Sequence, residues 1–418
     1  MRARRRNITA LVVSNALGGV GVAAGAAVGA LLTERLGGTS VAGAAQAVGV
    51  LAAAIAAIPL ANLAARRGRR VSLSLGYSMA ALGALVIITS AVVGSLAVQL
   101  LGMALFGVAN ATTLQSRFAA ADDAPAATRG RTMSVVIWAT TIGSVLGPNL
   151  TAPGDELGQD LGLPALAGPY VFTLVALALA AVTVGALYRA PAPVGARTAP
   201  VTPLGARAAV AWAWRHPVAR FGLVMPACAH AVMIVVMVMT PLHMRHEGMS
   251  LELVGLVISV HILGMFALSP VFGWLADRIG GVRTTMVGIG LLVVALVLGF
   301  TAATADGGQS AAHAGHAASS ATLTAIALVV LGLGWSASVI GASALLASVA
   351  EPQVRVPLQG ASDAAMNYAG AAAAAVAGPL LAWGGFAAVN TVGAVVLVPA
   401  VVVLVRAARA PRWARAAA

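Results

Sequence analysis

The chain contains no lysine, a single cysteine, and few charged residues of any kind, 9% in all. Each shortage excludes something. Without lysine there is no G-x-x-x-x-G-K-S/T phosphate loop, and so no nucleotide-driven motor of that type. One cysteine, Cys228, cannot form an internal disulfide, and it lies inside an apolar run. Soluble domains carry roughly 25% charged residues, so a chain of 418 residues that is 60% apolar cannot cover a water-facing surface in the usual way. No Ser-His-Asp arrangement and no metal-hydrolase spacing occurs, so neither an enzyme nor a cofactor is expected. The histidine pairs His243/His246 and His313/His316 have a spacing that suits zinc, but the second sits among Ala, Gly and Ser, and no metal site is expected.

What the chain has instead is long apolar runs and a mean hydropathy of +0.94. A membrane-spanning helix needs about 20 such residues. The runs fall at 8–32, 40–64, 71–93, 96–119, 132–152 and 167–188, then at 219–243, 251–276, 283–303, 321–349, 357–382 and 386–406. The first follows Met-Arg-Ala-Arg-Arg-Arg but is too long for a signal-peptide core, and reads as a span. The expected fold is therefore an all-α membrane protein of twelve transmembrane helices. It divides into a six-helix bundle over 1–188, a linker over 189–218 rich in Pro, Ala and Arg, and a second six-helix bundle over 219–418. Within the linker, the piece around Trp212 and Trp214 reads as an amphipathic segment on the membrane surface.

The net charge of +13 lies in the gaps between runs, which argues for membrane orientation and against a nucleic-acid partner. With the N-terminus placed inside, 23 of the 25 basic residues fall on inner segments and only Arg35 and Arg245 on outer ones. Both termini are therefore expected in the cytoplasm, with the chain embedded in the cell membrane.

One loop is dense in charge and glycine: Gly273-Trp-Leu-Ala-Asp277-Arg278-Ile-Gly280-Gly-Val-Arg283. A degraded copy, Ala61-Asn-Leu63-Ala-Ala65-Arg66-Arg67-Gly68-Arg69-Arg70, stands between the second and third runs. A second matching pair is Asp122-Asp-Ala-Pro125-Ala-Ala-Thr-Arg129-Gly-Arg131 and Glu351-Pro352-Gln-Val-Arg355. These loops resemble the G-x-L-a-D-R-x-G-x-R/K signature and the acid–proline–arginine loops of major facilitator superfamily transporters. The resemblance implies two pseudo-symmetric six-helix bundles of parallel repeats. It also implies a monomer moving a small-molecule solute by alternating access. Asp277 is then expected to hold an inner gate against the start of the fifth span, near Arg129 or Arg131. The bare reading of Asp277, a solvated acid beside Arg278, stays open. Ala65 and Ala61 depart from the pattern, so the equivalent lock of the first repeat is missing or made by other groups.

Gly143-Ser-Val-Leu-Gly147-Pro148 resembles the end of the helix-five signature of the family's proton-driven antiporters, which implies protons as a partner and export. The match is incomplete, because Asn149-Leu-Thr-Ala follows it and Met103 stands where an arginine is expected. Small residues at this spacing also serve plain helix packing. Uptake of a nutrient, or a non-transporting sensor on the same fold, are the alternatives.

Polar groups inside the runs are few, and such groups face a bundle interior or a cavity. Asp363 is the only carboxylate well within a span, with Asn367 near it; an interfacial acid paired with Arg355 or Arg117 is the other reading. His230 and His261 lie on the seventh and eighth spans; histidine as a residue type titrates in the range a proton-coupled carrier needs, and a lone helical histidine also serves as a packing residue. Asn15, Gln46, Asn110, Gln115, Arg117 and Trp138 are the first-half candidates for a central cavity.

Overall fold

The computed structural model describes residues 2–38, 41, 44–122, 124–189, 204–246, 251–306 and 314–409. Its helices are α1 (Arg2–Gly37), α2 (Ala44–Arg67), α3 (Arg69–Val93), α4 (Leu96–Asp122), α5 (Arg129–Asn149), α6 (Thr151–Asp160) and α7 (Pro169–Leu187). They continue with α8 (Ala206–Arg215), α9 (Pro217–His246), α10 (Leu251–Phe266), α11 (Ser269–Ile279), α12 (Gly281–Asp306), α13 (Ala314–Val349) and α14 (Pro352–Ala408). No strand occurs among the described residues.

Ten of these segments are long and apolar enough to cross a membrane, with α10 and α11 forming one span from Leu256 to Ile279, broken just before Pro270. Proline cannot continue a helix ladder, which places that break. The pair α5 and α6, bent by 60°, supplies an eleventh. The twelfth lies inside α14. Its 57 residues would reach about 85 Å as a straight helix, almost three times the ~30 Å hydrocarbon core, but Gly384 and Gly385 leave helical geometry, with φ of +62° at Gly385. Among the described residues the apolar runs of the sequence fall in helices, an arrangement consistent with twelve transmembrane segments.

The chain forms two compact units. In the first, Met1–Trp212 together with Ala350–Asn367, α1 packs on α5 and α7, and α3 on α4 and α7. Its core is built from alanines with a few large side chains, including Tyr77, Phe106, Tyr170 and Leu177, all buried. A smaller seam of Ala53, Ala57, Leu60, Val108 and Ala111 closes on Ala364 of α14. In the second unit, Ala213–Val349 with Tyr368–Ala418, α13 runs against α12, α10 and α9. The alanine and glycine content lets backbones approach closely, as membrane packing requires. A Cβ on Gly143 would run into the backbone of Gly19 and Val20, and one on Gly147 into Ala23 and Ala24. The helix-five glycines thus sit on the crossing of α1 and α5.

The two charged loops share a backbone. Gly68, ahead of α3, has φ 86° and ψ 160°, and Gly280, ahead of α12, has φ 84° and ψ 156°. Residues with a Cβ scarcely enter this region, so the glycine of each loop copy answers one conformational demand. Beyond each glycine a backbone N–H four residues on, of Ser72 or Thr284, bonds back to the glycine carbonyl. In the stretch between the units' helices, α8 buries Ala209 and Ala213 and exposes Trp214, an amphipathic pattern.

Candidate functional site

In the first unit, three polar side chains occupy one face of α14 at the i, i+4, i+8 spacing that aligns residues on a helix. They are Gln359, Asp363 and Asn367, each 1% exposed or less. Each rung bonds to a different side chain of α3 or α4.

At the rung nearest the start of α14, Arg69 Nη2 donates to Gln359 Oε1 at 2.5 Å while its Nε donates to Asp122 Oδ2 at 2.9 Å. Arg69 opens α3 directly after the positive-φ Gly68, which turns the guanidinium back into the protein, where it is 7% exposed. Asp122 closes α4 at 25% side-chain exposure. In the middle, Arg117 Nη2 donates to Asp363 Oδ1 at 2.5 Å, with side chains 1% and 0% exposed. The Arg117 guanidinium also lies 4.4 Å from the Phe118 ring centroid, a cation–π contact of the kind worth more when desolvated. In the last rung Asn110 Nδ2 donates to Asn367 Oδ1 at 3.3 Å, and Asn367 Nδ2 donates to the Asp363 carbonyl at 2.8 Å.

A charge pair this deep is expensive to bury and costs more still to break, because the surviving partner is left unpaired. Asp363 spends only one oxygen on Arg117; Oδ2 is buried and unbonded, as are Gln359 Nε2, Arg69 Nη1 and Gln115 Oε1. The ladder therefore carries spare donors and acceptors along its length. A carboxylate whose cationic partner moves away inside an apolar medium neutralises by taking up a proton, so Asp363 with Arg117 can exchange an internal partner for a proton.

The other candidates divide by what they bond. Asn15 is fully committed to packing: its Nδ2 donates to Val136 O at 2.7 Å and Thr140 Oγ1 at 3.0 Å, and its Oδ1 accepts from Ser116 and Tyr77. Gln115 donates to the Ala57 carbonyl of α2 at 2.7 Å. Trp138 lies on α5 at 39% exposure. Arg117, counted with the inner loop charges in the sequence, is instead buried on α4. Arg70 reaches the Gly185 carbonyl at 2.7 Å, and Arg66 is exposed at the end of α2.

In the second unit, Trp335 Nε1 donates to His230 Nδ1 at 3.1 Å, which leaves the imidazole hydrogen on Nε2 in the neutral ring. Phe266 meets Trp335 edge-on at 5.7 Å. A Cβ on Gly370 would run into the His230 ring. His261 is fully buried with Nδ1 2.6 Å from Leu328 O, where α10 and α13 cross through Gly264 and Gly332. Gly273 is buried in α11, Asp277 is half-buried on its last turn, and Arg278 lies 5.1 Å from the Trp274 ring. Arg283, in the first turn of α12, is exposed. The side chains of Pro148, His246 and His316, and His313 altogether, lie outside the described residues. His243 stacks on Phe386 at 4.3 Å.

Sequence reading missed the roles of Gln359, Arg69 with Asp122, and Trp335. The signal for the first was present, since Gln359, Asp363 and Asn367 repeat at one helical turn in an otherwise apolar run. Arg69 was hidden among four arginines that look alike in a loop.

Comparison with known proteins agrees with this architecture. The profile of the Major Facilitator Superfamily matches residues 9–305 and again 222–418. The uncharacterized MFS-type transporter YdeG of Bacillus subtilis is 34% identical over 407 residues, covering 95% of this chain and 91% of that protein. The riboflavin transporter RfnT of Brucella anthropi is 28% identical over 402 residues, covering 95% of each. Among solved structures, a bacterial homologue of the iron transporter ferroportin in an outward-facing state superposes with a TM-score of 0.74 at 14% identity, over 96% of this chain and 99% of that one. With a family profile covering nearly its whole length and relatives above 30% identity, the chain belongs to the Major Facilitator Superfamily of membrane transporters.

Proposed function

We propose that this transporter exchanges a small organic solute against protons and works in export, as a monomer in the cell membrane with both termini in the cytoplasm. In this reading 1–188 and 219–418 are the two alternating bundles and 189–218 links them. Asp277 acts at the inner gate. The observation that carries the coupling is the fully buried Arg117–Asp363 pair, with the second carboxylate oxygen unbonded. In its ionised form Asp363 keeps Arg117 on Oδ1 and offers Oδ2 as an acceptor to an N–H or O–H group of the solute. A proton taken up on Oδ2 removes that acceptor and the solute is released; when the proton leaves, Oδ2 can accept a solute donor again. Proton and solute thereby compete for one oxygen, which is exchange. The Gly143–Gly147–Pro148 pattern of α5 supports export.

A second reading is proton-driven uptake of a nutrient; the 28% identity to a riboflavin transporter makes riboflavin the first solute to try under either direction. Both readings are tested in inverted membrane vesicles whose interior is acidified and followed with a pH-sensitive dye, with riboflavin as the first solute added. Under the export reading a transported solute dissipates the acid interior, and Asp363→Asn abolishes that response. Isotopic solute flux with no proton movement in the wild type would overturn coupling. Solute-driven proton movement of equal size in Asp363→Asn would overturn the role of Asp363.

A further inference from the structure

A bay of about 170 Å³ opens in the first unit between α1, α2 and α4. Its floor is made where Gly107 of α4 crosses Gly49 of α2 so tightly that a Cβ on Gly107 would run into the Gly49 backbone. Its walls are Val22, Val50, Met103 and Phe106, and its polar groups are the carboxamides of Gln46 and Asn110. No charged residue lines it.

We propose that this bay is the solute's docking site and receives a neutral, flat heteroaromatic ring carrying neighbouring N–H and C=O groups. The inference rests on the transport reading and names the solute class. Three observations lead to it. The Phe106 ring is fixed by an edge-on contact with Tyr170 at 6.3 Å, and Tyr170 is itself tied by its hydroxyl to the Gly25 carbonyl at 2.9 Å, so the apolar wall is rigid. The glycine floor carries no side chain and presents a flat surface. The two carboxamides offer both donor and acceptor: Asn110 spends its N–H on Asn367 and keeps its carbonyl oxygen, and Gln46 is exposed at the mouth.

Each alternative chemistry meets a physical penalty here. A charged solute would be buried against a lining with no countercharge. A polyol would turn most of its hydroxyls toward Val22, Val50, Met103 and Phe106, where their hydrogen bonds are lost. A ring with an imide-like edge pairs with both amides and lays its faces on the apolar walls. The bay is smaller than the roughly 300–1,000 Å³ of a drug-sized pocket, so it holds the ring and leaves substituents outside.

Gly49 supplies the decisive variant. A Cβ there finds only Met103 nearby, its carbonyl oxygen at 3.8 Å and its Cε at 4.0 Å, which is ordinary contact. A side chain at this position enters the bay without disturbing the helix crossing, whereas one at Gly107 would break it. The experiment titrates the purified full-length protein with lumichrome, a neutral fluorescent imide-bearing ring, with no proton gradient present. Saturable quenching is expected, displaced by uracil and not by benzoate or glucose. Gly49→Leu should weaken binding at least tenfold and Gly49→Ala by a smaller, measurable factor, with thermal unfolding showing that each variant is folded. Gln46→Leu should weaken it about three- to tenfold, the worth of one uncharged hydrogen bond. Absence of saturable lumichrome binding, equal displacement by benzoate or glucose, or undiminished affinity in both Gly49 variants would each overturn the proposal. Because binding is read without a gradient, its failure leaves proton coupling to the vesicle assay.

Discussion

Removing Arg117 alone should destabilise the protein, whereas removing Arg117 and Asp363 together should leave its stability nearly unchanged. The two groups meet at 2.5 Å with side chains 1% and 0% exposed. With charge centres about 4 Å apart and an effective dielectric near 20, their attraction is ~4 kcal/mol. Arg117→Met strands the Asp363 carboxylate among apolar neighbours, and such single removals cost about 3–5 kcal/mol. Asp363→Leu strands the Arg117 guanidinium and should cost a similar amount, less whatever the Phe118 contact retains. The double variant Arg117→Met/Asp363→Leu strands neither group, and replacing a buried pair by apolar residues is neutral or stabilising by about 1–4 kcal/mol. Denaturation of the purified protein, read by loss of helicity, gives the four corners of a double-mutant cycle. With each single variant costing about 3–5 kcal/mol and the double variant within about 1 kcal/mol of wild type, the expected coupling is at least about 5 kcal/mol. Solute-driven proton movement should be absent in all three variants. That combination separates structure from mechanism, because the double variant is stable and inactive. Single variants costing less than 1 kcal/mol, or a double variant costing the sum of the singles, would refute the picture of a desolvated pair. A stable double variant that still couples protons would refute its role in coupling.

Gly68→Ala and Gly280→Ala should each cost about 1–3 kcal/mol, since both positions have φ near +85° with ψ near 160°; unchanged unfolding midpoints would remove the strain argument. Asn15→Leu should destabilise by about 1–3 kcal/mol through the stranded Ser116, Tyr77 and Val136 partners, while leaving the affinity for solute unchanged in the folded fraction, as binding isotherms would show. Gly143→Leu should abolish folding and membrane accumulation by driving a side chain into the backbone of Gly19 and Val20; normal accumulation would show that α1 and α5 do not cross there. Asp277→Asn should lower transport at equal expression and shift cysteine accessibility toward the inward-open state, and unchanged transport would remove Asp277 from the gate.

Most of the architecture was legible in the sequence, because a bilayer leaves a hydrophobic chain few choices. Every backbone polar group must be satisfied within its own segment, so each run of about 20 apolar residues becomes a helix. The helical state of the apolar runs follows from that constraint alone. Gly68 and Gly280 were also readable, since their loops repeat and their shared left-handed backbone accepts little else. The helix-five glycines show the limit: spacing alone does not distinguish a mechanistic bend from a packing seam, and the backbone of α1 against Gly143 and Gly147 supplies the seam.

The site was legible as residue types and illegible as partners. The sequence marked Asp363, Asn367, Asn110 and Arg117 as rare polar groups in hydrocarbon, and this follows from the cost of placing them there. It also placed Asn15 in the same class, although that side chain is consumed by packing between α1, α3, α4 and α5. Which groups pair depends on contacts between residues up to 290 positions apart, as for Arg69 and Gln359, and no local pattern encodes a separation of that size. Sequence by itself determined that this chain must cross a membrane as helices. Tertiary structure decided which of its few polar side chains face one another, because hydrogen bonding and charge pairing are set by distances of a few ångströms that only the folded backbone defines.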